Sequence, residues 1–458
     1  MRNPLGVVAG TLGAIARDAY ACARRSPVRR RRGFLAEAGR RCHPAQGRMR
    51  RRAGGGAMVS DYGVVVAGGG PTGLLTALLC AEAGIDVCVF EAAPALARDL
   101  RATSFHPPTL DMLDDIGIAA GLIARGVICP SWQVRMHPSG DRAVFELATI
   151  AGETRHPFRL QCEQWKLAEA LLERLSVHPR ARVAFGTRVA AFADDGDGVT
   201  VTTADNGGNS GPTVRGRFLV GADGWRSDVR SQLGLPFEGE SYPETTVVVT
   251  TPFRFEDHLE GMSMVTSCWT RDSHIAFLRL PEMWRLALYP DESLPIEEQT
   301  RPETVEAVLQ DVIRIDGRYP VTGIWTYRVN QRIVPNYRVG RVVLVGDAAH
   351  VNSPAGGMGL NAGIHDAFEL ARAFAAIFGK GAALERLDLY DRRRRPVVAK
   401  HILGLSARNR ARMRVSDPAE RRKELEALQA IAADPERHRA FVMRASMIDG
   451  LREAEAVT

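Results

Sequence analysis

One stretch near the beginning of the chain restricts its possible folds more than any other. The segment YGVVVAGGGPTGLLTALLCAEAGIDVCVFEAA covers residues 62–93. Val64–Ala67 lacks polar alternation, which predicts a strand buried on both faces, as in parallel sheets. Leu74–Ala83 predicts a helix, and Asp86–Phe90 predicts a second strand that ends beside Glu91. This order of elements predicts a βαβ unit.

Glycines lie where the first strand of this unit meets its helix. Gly68, Gly70 and Gly73 form the pattern G-x-G-x-x-G. The first permits a tight turn, the second lets the backbone approach a pyrophosphate, and the third lets helix and strand pack closely. Pro71 and Thr72, between the second and third glycines, are further candidate cofactor contacts, and the exposed N–H groups and dipole of the helix attract phosphate. The unit therefore predicts a dinucleotide site.

The acid at the end of the second strand narrows the choice of dinucleotide. Glu91 is placed to accept hydrogen bonds from the ribose hydroxyls of an adenosine. A carboxylate disfavours a 2′-phosphate at this position, so the site predicts NAD or FAD rather than NADP. The glycine pattern alone occurs in many tight turns, but the whole unit is much more specific.

Two later segments repeat the order of apolar strand, glycine with acid, and helix. In VRGRFLVGADGWRSDVRSQLGL the strand runs into Asp223 and Gly224. In GRVVLVGDAAHVNSPAGGMGLNAGIHDA the strand runs into Asp347. Three such strands predict one parallel sheet that presents all three loops at a single edge, which is where ligands bind in doubly wound folds.

Together the three motifs resemble those of the single-component flavoprotein aromatic hydroxylases, the relatives of para-hydroxybenzoate hydroxylase and the phenylpropionate hydroxylases. The resemblance extends from about Tyr62 to the 390s. It implies an α/β fold: a Rossmann-like FAD-binding domain of the glutathione reductase type, an inserted antiparallel β-sheet substrate domain, and C-terminal helices. It also implies hydroxylation of a phenolic or aromatic-acid substrate with NAD(P)H and O2, through a flavin C4a-hydroperoxide.

The resemblance also assigns cofactor contacts outside the glycine motif. Asp347 would bind the ribityl chain of FAD, and Asp223 would serve FAD and the pyridine nucleotide. Arg101 would partner the pyrophosphate, with Arg98 as the local alternative. The remaining cofactor contacts are Gln161, Gly224, Gly357, Gly359, Leu360 and Asn361.

Two residues are candidates for the catalytic centre. Pro354 resembles the family's proline, whose carbonyl lies near the substrate. His106 is the titratable residue most worth testing, with a structural or solvated histidine as the alternative. Seven residues of the predicted sheet are candidate pocket-lining or core residues: Trp269, Phe277, Arg279, Trp284, Tyr289, Trp325 and Tyr327. No arginine pair for a substrate carboxylate is recognisable, and Arg392–Arg395 predicts a solvated helix face.

These assignments divide the chain into an extension and two interleaved domains. The extension comprises residues 1–57. The FAD-binding domain comprises 58–124, 161–236 and, with the C-terminal helices, 335–458. The substrate domain comprises 125–160 and 237–334.

The extension accounts for the basic character of the chain. It holds fourteen arginines against Asp18 and Glu37, so it carries +12, and the remaining residues carry −5 of the total +7. The acidic body therefore does not predict nucleic-acid binding. The extension predicts disorder, and its composition fits a transit peptide or a polyanion-binding arm. We favour a third interpretation, in which the protein begins at Met58.

The remaining composition predicts a cytoplasmic protein, and the resemblance implies an enzyme with small-molecule partners. Seven scattered cysteines without a CxxC pair predict reduced thiols and no metal site, and no apolar run predicts a membrane span. The expected partners are a small aromatic substrate and O2, with a monomer or homodimer as the assembly. The alternative function is a flavin-dependent reductase or another oxidoreductase on the same scaffold. A flavin-holding protein whose extension contacts nucleic acid ranks below both.

Overall fold

The computed structural model describes residues 60–271, 273–289 and 294–458, so the predicted disorder of residues 1–57 lies outside the described residues. The strands, in chain order, are β1 (Ser60–Ala67), β2 (Val87–Glu91), β3 (Ser104–Phe105), β4 (Val127–Cys129), β5 (Ser131–Met136), β6 (Arg142–Glu146), β7 (Arg159–Gln161), β8 (Ala181–Phe185), β9 (Arg188–Asp194), β10 (Val199–Ala204), β11 (Ser210–Gly221), β12 (Glu238–Thr251), β13 (Val265–Trp269), β14 (His274–Arg279), β15 (Trp284–Tyr289), β16 (Gly323–Ile333), β17 (Arg338–Val339), β18 (Val342–Leu344) and β19 (His350–Val351).

The described residues also form α-helices. In chain order they are α1 (Pro71–Glu82), α2 (Pro107–Asp115), α3 (Ala119–Ile123), α4 (Gln164–Ser176), α5 (Asp228–Gln232), α6 (Ile296–Gln299), α7 (Pro302–Val312), α8 (Gly359–Lys380), α9 (Arg386–Val397), α10 (Gly404–Met413), α11 (Pro418–Ala433), α12 (Pro435–Ala445) and α13 (Ile448–Ala456). A π-helical stretch, Val398–Leu403, joins α9 to α10. Among these helices none has the length and apolar character needed to cross a bilayer.

A mixed sheet holds the three sequence motifs. Its strand order is β17–β18–β11–β1–β2–β8, and the β9–β10 hairpin continues from β11. The pairs β1–β2, β1–β11, β2–β8 and β11–β18 are parallel. Valine side chains of β1 and β2 are buried in a core to which α1 and α8 also contribute. Apolar strands covered in this way are typical of parallel sheets in α/β proteins.

The carboxyl ends of the parallel strands lie in register. Ala67 at the end of β1 is opposite Phe90 of β2 and Gly221 of β11. Gly221 is in turn opposite Leu344 at the end of β18. The three glycine-and-acid loops therefore leave the sheet at one edge, as the sequence predicts.

A second sheet of eight strands has the order β19–β16–β12–β15–β14–β13–β5–β6. All its pairs are antiparallel except β5–β13. One face packs against α7 through a core that includes Phe277 and Trp284. Arg285, directly after Trp284 in the chain, belongs to the other face because successive strand residues point to opposite sides. That other face forms a wall of the cavity described below.

The C-terminal helices α11 and α12 pack against one end of this second sheet. Residues of α11 and α12 share a core with β5 and β6, and Glu153 accepts hydrogen bonds from Arg439 and Arg452. The prediction that Arg392–Arg395 forms a solvated helix face is wrong for Arg394. Its side chain is buried and pairs with Asp366 of α8, because the helix turns that residue toward the core while Arg392 stays exposed.

Candidate functional site

The turn between β1 and α1 has the backbone geometry of a dinucleotide-binding loop. Gly68 has φ +105°, and a Cβ there would lie 2.3 Å from the carbonyl oxygen of Ala222. A Cβ on Gly73 would lie 2.1 Å from the carbonyl oxygen of Gly68. At Gly70, by contrast, no atom lies within 4 Å of the added Cβ. Two glycines are therefore required by packing, whereas Gly70 leaves open space where a ligand can approach the backbone.

Glu91 fixes this loop from the neighbouring strand. Its Oε2 accepts a hydrogen bond from the backbone N–H of Gly69 at 2.6 Å, and its Oε1 accepts one from Ala93 at 2.7 Å. A carboxylate has about four acceptor positions, so hydroxyl groups of a ligand can still bind it. Glu91 thus shapes the loop and remains available to a ribose.

Asp223 lies two positions after the end of β11, and its side chain is hydrogen-bonded within its own loop. Its Oδ1 accepts from Ser227 Oγ at 2.5 Å, and its Oδ2 accepts from the N–H of Val229 at 3.0 Å. Gly224 adopts φ +79° to make the turn, with nothing within 4 Å of an added Cβ. Burial raises the pKa of Asp223, and the hydrogen bond from Ser227 opposes that effect.

Asp347, after β18, differs from the other two acids because it forms no hydrogen bond or ion pair with a described residue. Asp347 is an exposed residue, yet the protein atoms packed around it raise its pKa by desolvation. The nearby His350 and Arg101 act in the opposite direction and lower this pKa. Arg101 itself pairs with Asp99 at 2.7 Å, and Arg98 is turned away toward Glu169. An accessible acid without a protein partner at the end of a buried strand is suited to ligand hydroxyls.

A buried ion pair that the sequence did not predict supports the Asp347 loop. Asp366 Oδ1 accepts from Arg394 Nε at 2.8 Å, and Asp366 Oδ2 accepts from His350 Nε2 at 2.7 Å and from the N–H of Gly346 at 3.1 Å. These contacts hold the pKa of Asp366 below its ordinary value despite burial. The signal in the sequence was an acid within the apolar helix segment GIHDAFEL.

The loop after Asp347 forms a tight turn before α8. The carbonyl of Pro354 accepts the N–H of Gly357 at 2.9 Å. A Cβ on Gly357 would lie 2.9 Å from Ser104 Cβ, and one on Gly359 would lie 2.9 Å from Asn352 Oδ1. This turn therefore packs directly on β3 and on its own preceding residues.

Asn361 and Leu360 lie in the first turn of α8. The Asn361 side chain is fully buried and joins three backbone groups: it accepts from the N–H of His106 at 2.9 Å and donates to the carbonyls of Ser104 at 2.9 Å and Gly357 at 2.7 Å. Its amide is thus committed to the protein, which leaves backbone groups for any ligand. Leu360 is partly buried against the main core.

His106 is completely buried beside the same turn. Its Nε2 lies 3.0 Å from the carbonyl oxygen of Gly356, and its Nδ1 has no partner among the described residues. Because a carbonyl only accepts, Nε2 carries the proton. Burial and the nearby Arg159 hold the pKa of His106 well below its ordinary value. The geometry makes His106 a neutral support for the loop.

Gln161, a predicted cofactor contact, has a side chain that is bound to neighbouring protein groups. It ends strand β7 and is fully buried. Its Oε1 accepts from Thr103 Oγ1 at 3.2 Å, and its Nε2 donates to Ser104 Oγ at 2.8 Å. The side chain therefore fixes β3 beneath the Pro354–Gly357 turn.

Two helices begin next to the loops described above without a side-chain N-cap. Helix α1 begins after Gly70 and α8 begins after Met358, and neither has a side-chain cap. In contrast, Asp417 and Asp434 cap α11 and α12 with their side chains. Uncapped N–H groups attract anionic and acceptor groups of a ligand. Together with the unpartnered Asp347, these features fit the diphosphate, ribityl chain and pyrimidine edge of FAD.

The Pro354–Gly357 turn forms part of the wall of a cavity of about 140 Å³. This size is close to the roughly 150 Å³ at which an engineered protein cavity holds one benzene molecule. The second sheet, α10 and α12 contribute its walls. Of the candidate lining residues, Tyr289 and Tyr327 line the cavity. The remaining candidates do not line it. Phe277 and Trp284 belong to the core that packs against α7, and Trp269 belongs to the core with α11 and α12. Arg279 pairs with Glu256, and Trp325 is partly buried elsewhere on β16.

The sheet edge, the uncapped helices and the adjacent ring-sized cavity define an FAD-binding flavoprotein of mixed α/β fold. Residues 61–403 match the family described as FAD binding domain. The para-nitrophenol 4-monooxygenase of Pseudomonas sp. strain WBC-3 is 34% identical over 398 residues, which cover 86% of this chain and 97% of that protein. The 6-hydroxy-3-succinoylpyridine 3-monooxygenase of Pseudomonas putida strain DSM 28022 / S16 is 32% identical over 335 residues, or 72% of this chain and 84% of that protein.

Solved structures agree with these sequence relationships. The crystal structure of p-nitrophenol 4-monooxygenase from Pseudomonas putida DLL-E4 matches with a TM-score of 0.78 at 30% identity, covering 85% of this chain and 98% of that one. The chain belongs to the FAD binding domain family, among the FAD-dependent aromatic monooxygenases. The resemblance predicted from the three motifs is confirmed.

Proposed function

We propose that this protein is an FAD- and NAD(P)H-dependent monooxygenase that hydroxylates a small phenolic ring. The position of Asp347 carries the proposal. This acid has no partner among the described residues and lies at the aligned strand ends, and seven residues later the chain reaches the cavity wall at Pro354. One short segment thus borders both a cofactor site and a ring-sized cavity, which is the arrangement that oxygen transfer from FAD to a ring requires.

The finer fold assignment follows from the same arrangement. The parallel sheet with α1 and α8 is the FAD-binding domain of the glutathione reductase type. The second sheet, with β5 and β6, is the substrate domain. This assignment is supported by the different features of the two sheets: the first carries the glycine-and-acid loops, and the second forms a wall of the cavity.

Each part of FAD has a counterpart among the residues of the first sheet. The N-terminus of α1, opened by Gly70, would bind the diphosphate, and Glu91 would bind the adenosine ribose. Asp347 and Asp223 would bind hydroxyl groups, and Arg101 would balance the phosphate charge. The N–H groups at the N-terminus of α8 would favour negative charge on the pyrimidine part of the flavin. FAD, when bound, supplies the redox chemistry by accepting two electrons from NADH or NADPH and using O2 as the source of the transferred oxygen atom.

The side chains around the cavity orient the substrate and exclude water. The carbonyl of Pro354 accepts one hydrogen bond within its turn and has a second lone pair for a phenol O–H. His106 and Asn361 keep that carbonyl in place through Gly356 and Gly357. His106 therefore acts as a positioning residue. In the overall reaction one oxygen atom of O2 enters the ring as a hydroxyl group, and the other leaves as water while NAD(P)H is oxidised.

The proposal is tested with purified protein comprising residues 58–458. We expect a yellow protein with a flavin spectrum, whose oxidation of NADPH or NADH accelerates with one compound of a panel of phenols and aromatic acids. The product should be heavier by one oxygen atom, with O2 uptake equal to the product formed. A yellow protein that adds oxygen to no compound would support a flavin-dependent reductase instead. A folded protein that FAD cannot reconstitute would contradict the proposal.

A further inference from the structure

The charged side chains of the cavity wall are all of one sign. Among the described residues that line it, Arg159, Arg285, Arg412 and Arg444 are the cations, and no aspartate or glutamate is present. Arg412 is neutralised by Glu424 at 2.6 Å, and Arg444 is exposed. The two remaining arginines are buried, so their charges bear directly on what the cavity can bind.

Arg285 is a buried guanidinium without a partner among the described residues. Only 5% of this residue on β15 is exposed, and no described group forms a hydrogen bond with its Nε. The whole side chain forms no hydrogen bond or ion pair with any described residue. A guanidinium has five N–H donors, and burying it unpaired is costly. On the neighbouring strand Arg279 pairs with Glu256 at 3.3 Å, so the second sheet does satisfy an arginine elsewhere.

Arg159 also lacks a carboxylate among the described residues. It is 7% exposed, donates once to the carbonyl of Ala445 at 3.3 Å, and leaves its Nε without a partner. Its guanidinium carbon lies 5.2 Å from the centre of the Trp132 ring. This stacking fixes the plane of the group but neutralises no charge.

The strand register places Arg285 and the Trp132 ring, on which Arg159 stacks, on the same face of the second sheet. Arg285 is opposite Leu278, and Leu278 is opposite Val265. The register that pairs Thr266 with Gln133 brings the next position, Trp132, beside Val265 on the same face. Three strand spacings of about 4.8 Å separate the backbones of Arg285 and Trp132. Arg285 and the Arg159 group on Trp132 therefore both belong to the lining of the same cavity.

We propose that the substrate is a phenol that carries a second, ionised, planar two-oxygen group, and that Arg285 binds this group while Arg159 supplies the second positive charge. The inference rests on the proposed function, since the ligand is taken to be the compound hydroxylated. Carboxylate is the reference case, because its two oxygens match the planar guanidinium fork. A nitrophenolate offers the same chemistry through its nitro end, and the test below separates the two sources.

The first measurement is ligand binding to the FAD-loaded protein without a pyridine nucleotide, followed through the flavin absorption. The probes are 4-hydroxybenzoate with its neutral amide, 4-hydroxyphenylacetate with its amide, and 4-nitrophenol. We expect at least one acid to bind about tenfold or more tightly than its amide. Arg285→Met should bring that ratio close to one while the amide dissociation constant stays within about threefold. Arg285→Lys should keep part of the preference.

Arg328→Met is the matched control, because Arg328 is an exposed arginine on the neighbouring part of the same sheet, and its acid-to-amide ratio should equal that of the unmodified protein. A loss of 4-nitrophenol binding in Arg285→Met as large as that of the acid would identify the nitrophenolate as a second source of the anion. Unchanged 4-nitrophenol binding would restrict the site to carboxylates.

Thermal unfolding without ligand gives an independent readout. Removing an unpaired buried charge should raise the unfolding midpoint of Arg285→Met relative to Arg328→Met. A lower midpoint would show that Arg285 has a partner within the protein and would overturn the inference. Acids that bind no better than their amides, or do not bind, would also overturn it. Failure of the proposed function looks different, since that protein either would not take up FAD or would be yellow and add oxygen to no compound, whatever its preference between an acid and its amide.

Discussion

Arg394 donates a hydrogen bond from Nε to Oδ1 of Asp366 across 2.8 Å, and both side chains are buried. The other oxygen of Asp366 accepts the N–H of Gly346, the residue directly before Asp347. The ion pair thus connects α9, through α8, to the loop that we propose binds the ribityl chain of FAD. Breaking such a pair leaves an uncompensated buried charge, which is strongly destabilising.

Arg394→Met should therefore lower the free energy of unfolding by about 3 kcal/mol. Arg392→Met is the matched control, because Arg392 is exposed in the same arginine run and, among the described residues, its side chain forms a single hydrogen bond, from Nη2 to the carbonyl of Thr458 at 3.4 Å. That control should change stability by no more than about 0.5 kcal/mol. Urea denaturation of both variants checks the prediction, and equal effects would show that Arg394 is not the supporting residue.

The contrast between Arg394 and the glycine motif shows which features the sequence could predict. The glycine motif depends on a turn between adjacent elements, so its geometry follows from about thirty consecutive residues. The partner of Arg394 lies 28 positions away on another helix, and a run of four arginines does not indicate which member turns inward. The prediction of a solvated face followed the average behaviour of charge runs and was wrong at Arg394.

The candidate site shows the same limit. Asn361 accepts a hydrogen bond from His106, which lies 255 positions away in the sequence. Its role in holding the Pro354–Gly357 turn therefore depends on packing between distant segments. Arg285 alternates along β15 with core residues, and the sequence of the strand does not say which face α7 covers. The cofactor edge was therefore predictable from local motifs, whereas the arginines of the cavity required the arrangement of the sheets.

Asp347→Ala should separate cofactor binding from folding. Because Asp347 has no partner among the described residues, its removal should leave the stability of the FAD-free protein within about 0.5 kcal/mol. FAD affinity should fall about 10- to 100-fold, the range expected for hydrogen bonds to a charged group. Asp228→Ala, at an exposed acid, is the control and should retain FAD. Titration of the FAD-free proteins with FAD measures both, and full retention of FAD by Asp347→Ala would refute the assignment.

Two glycines of the first motif should respond oppositely to alanine. At Gly73 the new Cβ would meet the carbonyl oxygen of Gly68 at 2.1 Å, so Gly73→Ala should cost about 1–3 kcal/mol of stability. At Gly70 the Cβ meets nothing within 4 Å and φ is −72°, so Gly70→Ala should change stability by less than about 1 kcal/mol. Its methyl group would instead occupy the approach of the diphosphate and lower FAD affinity by at least about tenfold. Urea denaturation measures the stability of both variants, and titration with FAD measures their FAD affinity. Unchanged FAD affinity in a stable Gly70→Ala protein would show that the diphosphate binds elsewhere.

The buried histidines should make the fold sensitive to acid. Burial lowers the pKa of His274 from its ordinary 6.5 to about 3, so between these values the unfolded chain binds a proton that the folded protein does not. The stabilising contribution of neutral His274 is thus complete above pH 6.5 and declines as the pH falls, by about 1.5 kcal/mol between pH 6.5 and 5. His274→Gln, which can keep the hydrogen bond to Ser267, should reduce the pH dependence by that amount while lowering stability at pH 8. Urea denaturation at several pH values measures both proteins, and parallel stability curves would mean that His274 is protonated in the folded state.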